Sequence, residues 1–340
     1  MSLYFAAVNR NKRSLTLNIK HKAGKDILYE LVKRSDVLVE NFIPGKMDEM
    51  GCGYQKLRKI HKQLIYASIS GYGPSGPSAR KSCYDAIAAA EAGLMHITGE
   101  ADGKPLRPGL GLVDMSTGLL MHGAILAALR SRDQTGEGQK VDASLFATQL
   151  SLLTNVGTNW LNMSLEGQRY GAAHPSICPY DTYKTKDGYF TLGANNERQW
   201  QILCERLGRQ ELFSDPKFKT NKLRVQYRDA LDTMIVPVMA EKTNAEWLHM
   251  LSGSGLAHGP VNSIEQAFAH PQAEGMVVEE ASKHTRSGSL RMIGPAMEFS
   301  STPATIRHTA PSLGEHTEEI LRELQYTEDD IRQFKEAGTV

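Results

Sequence analysis

Apolar and polar positions alternate at Leu15, Leu17 and Ile19, a period of two that predicts a strand. The period then changes. Over residues 23–34, Ile27, Leu28, Leu31 and Val32 fall on one face of a 3.6-residue repeat, which predicts a helix. Residues 36–40 (DVLVE) read as a strand, 54–61 as a helix and 64–70 (LIYASIS) as a further strand. That order predicts a parallel sheet with crossover helices. Helices rich in Ala, Leu and Ile are predicted over 84–96 and 115–132. A turn at Thr135–Gly138, a short strand at 139–143 and one long helix over 145–163 follow.

The texture changes after Tyr170. Residues 180–193 (YDTYKTKDGYFTLG) predict a hairpin turning at Asp187-Gly188. Helices are predicted at 197–207, 228–240 and 245–251, a β segment over 275–299, and two short helices at 317–324 and 328–337. The pattern as a whole is α/β. It predicts a larger domain over 1–165 with a parallel sheet, and a smaller α+β domain over 175–300.

Composition narrows the class. The 340 residues carry a net charge of +1, with 41% apolar and 23% charged positions, as in ordinary globular enzymes. Bulk electrostatics point to neither a nucleic acid nor a membrane as partner. No apolar run is expected to approach the ~20 residues that span a bilayer. The opening MSLYFAAVNRNKRS has no apolar core of a secretory signal, so an intracellular protein is expected. Cys52, Cys83, Cys178 and Cys204 are scattered and read as reduced thiols. The eleven histidines show no metal spacing, so no metal is expected.

Gly71, Gly73 and Gly76 satisfy GxGxxG directly after a strand. A dinucleotide site requires a helix to begin there, so that its N–H groups meet the pyrophosphate. Pro74 and Pro77 interrupt, and proline has no N–H to donate. The segment reads as a shaped active-site loop. Walker A, HExxH and GxSxG sequences are absent.

The informative stretch runs from Arg107 to Ser144 (RPGLGLVDMSTGLLMHGAILAALRSRDQTGEGQKVDAS). Asp114 opens an apolar helix. A carboxylate there meets unpaired N–H groups and the positive end of the helix dipole, which favours its ionised form. Position alone leaves it either an N-cap or a nucleophile.

The stretch resembles the signature of the family III CoA-transferases, also called the formyl-CoA transferase and carnitine CoA-transferase family. Asp114, Thr117-Gly118, Ala127-Ala128-Leu129, Arg132 and Thr135-Gly136-Glu137-Gly138-Gln139 follow its order. So do the segments Asn9–Arg13, Val39-Glu40-Asn41-Phe42 with Pro44-Gly45, Gly71-Tyr72-Gly73 with Gly76-Pro77, and Leu313–Thr317. The likeness spans nearly the whole chain.

The resemblance implies a Rossmann-like large domain, a smaller α+β domain and a C-terminal return over 301–340, in an interlocked homodimer. It implies transfer of CoA between two carboxylic acids. The aspartate, here Asp114, attacks an acyl-CoA and gives a mixed anhydride and then an aspartyl-CoA thioester. No cofactor is held permanently; the CoA thioester is substrate. The resemblance places CoA contacts on Leu17 and Lys20, on Asn41 and Phe42, and on Tyr84 and Asp85. Asp85 either assists catalysis or caps a helix.

Three departures stand out. A first strand and helix of the family pattern are expected to be missing. Glu49 replaces a basic residue of some members, with Lys46 as its substitute. The glycine-rich covering loop of the formyl-CoA enzymes is replaced by Tyr170–Pro175, which argues against formyl-CoA and oxalate. Residues 93–99, 184–189 and 259–262 resemble the succinyl-CoA:glutarate (hydroxymethylglutarate) branch. Succinyl-CoA and a dicarboxylate such as glutarate are therefore the expected substrates. Arg107, Arg169 and His174 are candidates for the second carboxylate. The branch is mitochondrial in eukaryotes, and a cytoplasmic enzyme is expected otherwise. Two alternatives remain: an α-methylacyl-CoA racemase, whose histidine would be replaced by Tyr84, and an inactive CoA-binding fragment.

Overall fold

The computed structural model describes residues 2–281 and 288–340. The chain divides into two compact units. One takes Met1–Ala92, Gly111–Leu152 and Ala269–Val340; the other takes Gly93–Leu110 and Leu153–Phe268. These bounds differ from a split near residue 165. Residues 93–110 and 153–165 fall in the second unit, and 269–300 in the first.

The elements of the first unit up to residue 152 are α1 (Leu3–Val8), α2 (Lys22–Lys33), β1 (Val37–Glu40), α3 (Lys46–Glu49), α4 (Tyr54–Ile60), β2 (Ile65–Ser70), α5 (Asp85–Glu91), α6 (Leu112–Thr135), β3 (Lys140–Ser144) and α7 (Leu145–Leu152). The three strands form a parallel sheet in the order β1-β2-β3, with Val39 beside Ala67 and Ala67 beside Val141. Ile65, Tyr66 and Ala67 are all buried, as in parallel strands covered on both faces. Leu57 of α4 and Val32 of α2 pack with Tyr66, and α6 packs against β2 and β3.

Three expectations are corrected here. Residues 12–18 form no strand, and 84–96 is helical only as far as Glu91. In addition, α6 is 24 residues long and apolar enough to cross a membrane by length and composition. It packs on the sheet and on α5 and α7. Its C-terminal end is tied by Arg132 to Asp36, at 2.9 Å.

The second unit continues with α8 (Thr154–Met163), β4 (Tyr180–Lys184), β5 (Tyr189–Gly193), α9 (Glu197–Leu207), α10 (Gln210–Ser214), α11 (Asn221–Gln226), α12 (Arg228–Met239), α13 (Asn244–Leu251), β6 (Ala257–Pro260) and α14 (Ile264–Ala269). The expected single helix over 145–163 is two helices. Thr154 takes a φ of 42°, a left-handed conformation costly for a β-branched residue, and the helix breaks there. The expected hairpin forms as β4–β5, with Lys184 beside Tyr189, and Thr185 and Gly188 exchange the bonds that close its turn. Trp200, Trp247, Phe190 and Phe218 fill this unit's core.

The first unit resumes with the antiparallel pair β7 (Val277–Ala281) and β8 (Ser289–Ile293) and the helices α15 (Thr317–Glu323) and α16 (Glu328–Glu336). Residues 282–287 of the expected β segment lie outside the described residues. Residues 14–18 bond to the C-terminal segment and not to a neighbouring strand. The Asn18 N–H donates to Thr339 O (2.8 Å), and His316 N–H donates to Ser14 O (2.9 Å). Leu15 and Leu17 pack on Ile27, Ile320 and Leu321.

Candidate active site

A cleft of about 640 Å³ opens in the first unit beyond the carboxyl ends of β1 and β2. This is where open parallel sheets bind ligands. Val39, Glu40, Asn41, Ser70, Gly71, Cys83, Tyr84, Asp114 and Leu145 line it.

Each wall has a local cause. After β1, Glu40 folds back on its own turn. Its Oε2 accepts the Phe42 N–H at 2.7 Å, and its Oε1 accepts the Ser68 hydroxyl. The turn presents Asn41 to the cleft and leaves Phe42 49% exposed. After β2, Gly73 and Gly76 take φ values of +95° and +96°. Gly71 lies so close to Cys83 that an added Cβ would stand 2.2 Å from the Cys83 Cβ. No helix begins at these glycines, in keeping with the prolines; α5 starts only at Asp85. The Tyr72 hydroxyl donates to Glu91 (2.8 Å), Lys81 pairs with the same carboxylate, and the Lys81 Nζ lies 5.3 Å over the Tyr72 ring. The loop is thereby clamped to α5. Tyr84, 76% exposed, faces the cleft just before that helix.

Asp114 is in the first turn of α6, but it is not the cap. The helix begins at Leu112, and Gly111 precedes it without a capping side chain. Asp85 Oδ1 accepts the N–H groups of Val113 (2.9 Å) and Asp114 (3.1 Å) instead. The helix terminus was expected to favour the ionised form of Asp114. The opposite holds. Desolvation by its surroundings, and then the charge of Asp85, raise its pKa above the ordinary aspartate value. Asp85 occupies the free N–H groups in its place.

The other expected contacts scatter. Leu17 packs on the C-terminal helices, and Lys20 is exposed; neither lines the cleft. Lys46 is engaged by Glu49 at 3.0 Å, and this pairing lowers the Glu49 pKa. Arg80, which the sequence reading passed over, adds to that lowering. It lines a neighbouring cleft of about 410 Å³ that shares Glu40 and Ser70 with the first. An isolated arginine following two prolines was its only signal.

Arg107, Arg169 and His174 belong to the second unit. Arg169 spends its guanidinium on main-chain carbonyls, donating to His96 O (3.1 Å) and Glu100 O (3.3 Å). His174 Nδ1 accepts the Ser176 N–H at 3.2 Å, and its ring stacks on Tyr180. Arg107 is exposed, and its Nε donates to Pro108 O at 3.1 Å.

Comparison with known proteins bears on this geometry. The profile of CoA-transferase family III matches residues 1–317. An acyl-CoA transferase of Fusarium pseudograminearum is 51% identical over 342 residues, covering 100% of this chain and 75% of that protein. A mouse protein named succinyl-CoA:glutarate CoA-transferase is 44% identical over 342 residues, covering 100% of this chain and 78% of the mouse protein. The crystal structure of a CaiB/BaiF family protein from Brucella suis superposes with a TM-score of 0.84 at 36% identity, covering 94% of this chain and 84% of that one.

Proposed function

Because the chain belongs to CoA-transferase family III, we propose that it moves CoA from succinyl-CoA to a dicarboxylate such as glutarate, with Asp114 as the nucleophile. The name of the mouse relative supports the choice of acids. The observation that carries the chemistry is the position of Asp114 in the cleft with Asn41, Gly71 and Tyr84.

The Asp114 carboxylate attacks the thioester carbonyl, and the C–S bond breaks. The products are an aspartyl–succinyl anhydride and CoA thiolate. The thiolate attacks the aspartyl carbonyl, succinate leaves, and Asp114 carries CoA as a thioester. Glutarate attacks that thioester, and the two steps run in reverse to release glutaryl-CoA. Each step exchanges one activated acyl group for another, so no other energy source is needed. A carboxylate with a raised pKa is more basic than an ordinary one and a stronger attacking group, provided that it is ionised. Asn41 and Tyr84, which line the same cleft, contact the acyl-CoA.

The test incubates the protein with succinyl-CoA and labelled dicarboxylic and monocarboxylic acids and reads new acyl-CoA by mass spectrometry. Label is expected in glutaryl-CoA, and Asp114→Ala is expected to abolish it. Use of monocarboxylates alone would refute the substrate assignment. Among the three cationic candidates, all in the second unit, Arg107 keeps most of its donors uncommitted.

We infer further that the enzyme is a homodimer. Met115, Leu119 and Leu126 expose an apolar stripe along α6, with Leu119 72% accessible. Such patches mark interaction surfaces. Light scattering should report a dimer and, for Leu119→Asp, a monomer.

A further inference from the structure

We propose that Asp85 is a positioning residue that holds the nucleophile in place by capping its helix from outside. This rests on the reading of Asp114 as nucleophile. A helix leaves its first N–H groups without internal partners. Those of α6 follow Gly111, which has no side chain to offer them. Two of them, on Val113 and Asp114, converge on the single oxygen Asp85 Oδ1 at 2.9 and 3.1 Å. The cap is remote, because Asp85 lies at the start of α5, 28 and 29 residues earlier. One of the two donors is the nucleophile's own backbone N–H, so the bond fixes the base from which the carboxylate projects. Gly111 lies at ordinary contact distance from both aspartates. A Cβ on residue 111 would stand 3.6 Å from Asp85 Oδ1 and 3.8 Å from the Asp114 Cβ.

The same contact has an electrostatic side. The ionisable groups facing Asp114 are Asp85 of α5, Cys83 and Tyr84 just before it, and Glu40 at the end of β1. Among the described residues no lysine, arginine or histidine lines the cleft. Asp85 therefore opposes the ionisation of Asp114 while holding its backbone, and it keeps the nucleophile basic.

The experiment compares Asp85→Ala, Asp85→Asn and Asp114→Ala in the transfer assay across pH, with melting curves to confirm folding. Asp85→Ala should lose about 100-fold in kcat, the scale of a small misplacement at a reacting centre, with KM for the acyl-CoA unchanged. Asp85→Asn still presents an oxygen to the two N–H groups, so it should recover most of the lost kcat. It also lacks the opposing charge, so the acid limb of its kcat/KM profile should move to lower pH. Wild-type kcat in Asp85→Ala would overturn the proposal, as would a defect confined to KM for the acyl-CoA. If Asp85→Ala does not fold, the unmoved acid limb of Asp85→Asn would overturn it instead. Asp114→Ala separates the two readings. An active Asp114→Ala removes the nucleophile and this proposal together. An inactive Asp114→Ala beside a normal Asp85→Ala removes this proposal alone.

Discussion

The pKa of Asp114 is raised above the ordinary aspartate value, first by the desolvating walls around it and then by the charge of Asp85. That has a consequence for stability. A carboxyl group whose folded pKa is raised binds its proton more tightly in the native state than in the unfolded chain. The stability it lends is complete below the unfolded pKa and is lost as pH rises through the folded value. At pH 8 the ionised group therefore weighs against folding. Asp114→Asn keeps the shape without the charge, so calorimetry should find its Tm raised at pH 8 and little changed near pH 3. A lower Tm at pH 8 would contradict the desolvation. The acid limb of wild-type transfer activity should likewise lie above the pH at which an ordinary aspartate titrates. The presence of this residue in a signature was legible from the resemblance of residues 107–144 to the family, since position alone left it either a cap or a nucleophile. Its ionisation was not, because the partner that takes the helix N–H groups comes from another element.

Among the elements, the loop over 71–83 decides the shape of the cleft. Its glycines and prolines were enough to exclude a dinucleotide turn, since that depends only on where a helix can begin. Its path depends on Cys83 packing against Gly71 and on the Tyr72–Glu91–Lys81 clamp. Gly71→Ala would place a Cβ 2.2 Å from the Cys83 Cβ, so one side of the loop must move. Steady-state kinetics should show kcat/KM for succinyl-CoA reduced more than about tenfold, with the far-UV spectrum unchanged; full activity would mean that the loop does not set the cleft. The hairpin at Asp187-Gly188 was legible because its turn chemistry is local. The break at Thr154 was not, because nothing in the local sequence marks it, and a left-handed threonine is tolerated only under tertiary constraint.

For the molecule as a whole, the first unit is closed by its own C-terminal segment. Leu321 is fully buried beneath α2 and against Leu15 and Leu17. Leu321→Ala should cost this unit about 3 kcal/mol by loss of burial and the cavity left behind, read as a lowered denaturation midpoint. An unchanged midpoint would mean that the C-terminal helices add nothing to the unit.

The sequence by itself determined the class of the protein. Periodicity predicted a parallel sheet with crossover helices, and ordered motifs from Asn9 to Thr317 carried the family and singled out Asp114 as the candidate nucleophile. These are properties of local spacing and of residue identity. Only the tertiary structure decided where residues 12–18 go, since an apolar alternation fits a sheet edge or a helix surface equally well. The tertiary structure alone also separated Leu17 and Lys20 from the cleft while bringing Asn41, Tyr84 and Asp114 to it. It gave the cap of α6 to Asp85 as well, because hydrogen bonds and desolvation depend on distances in space that spacing along the chain does not contain.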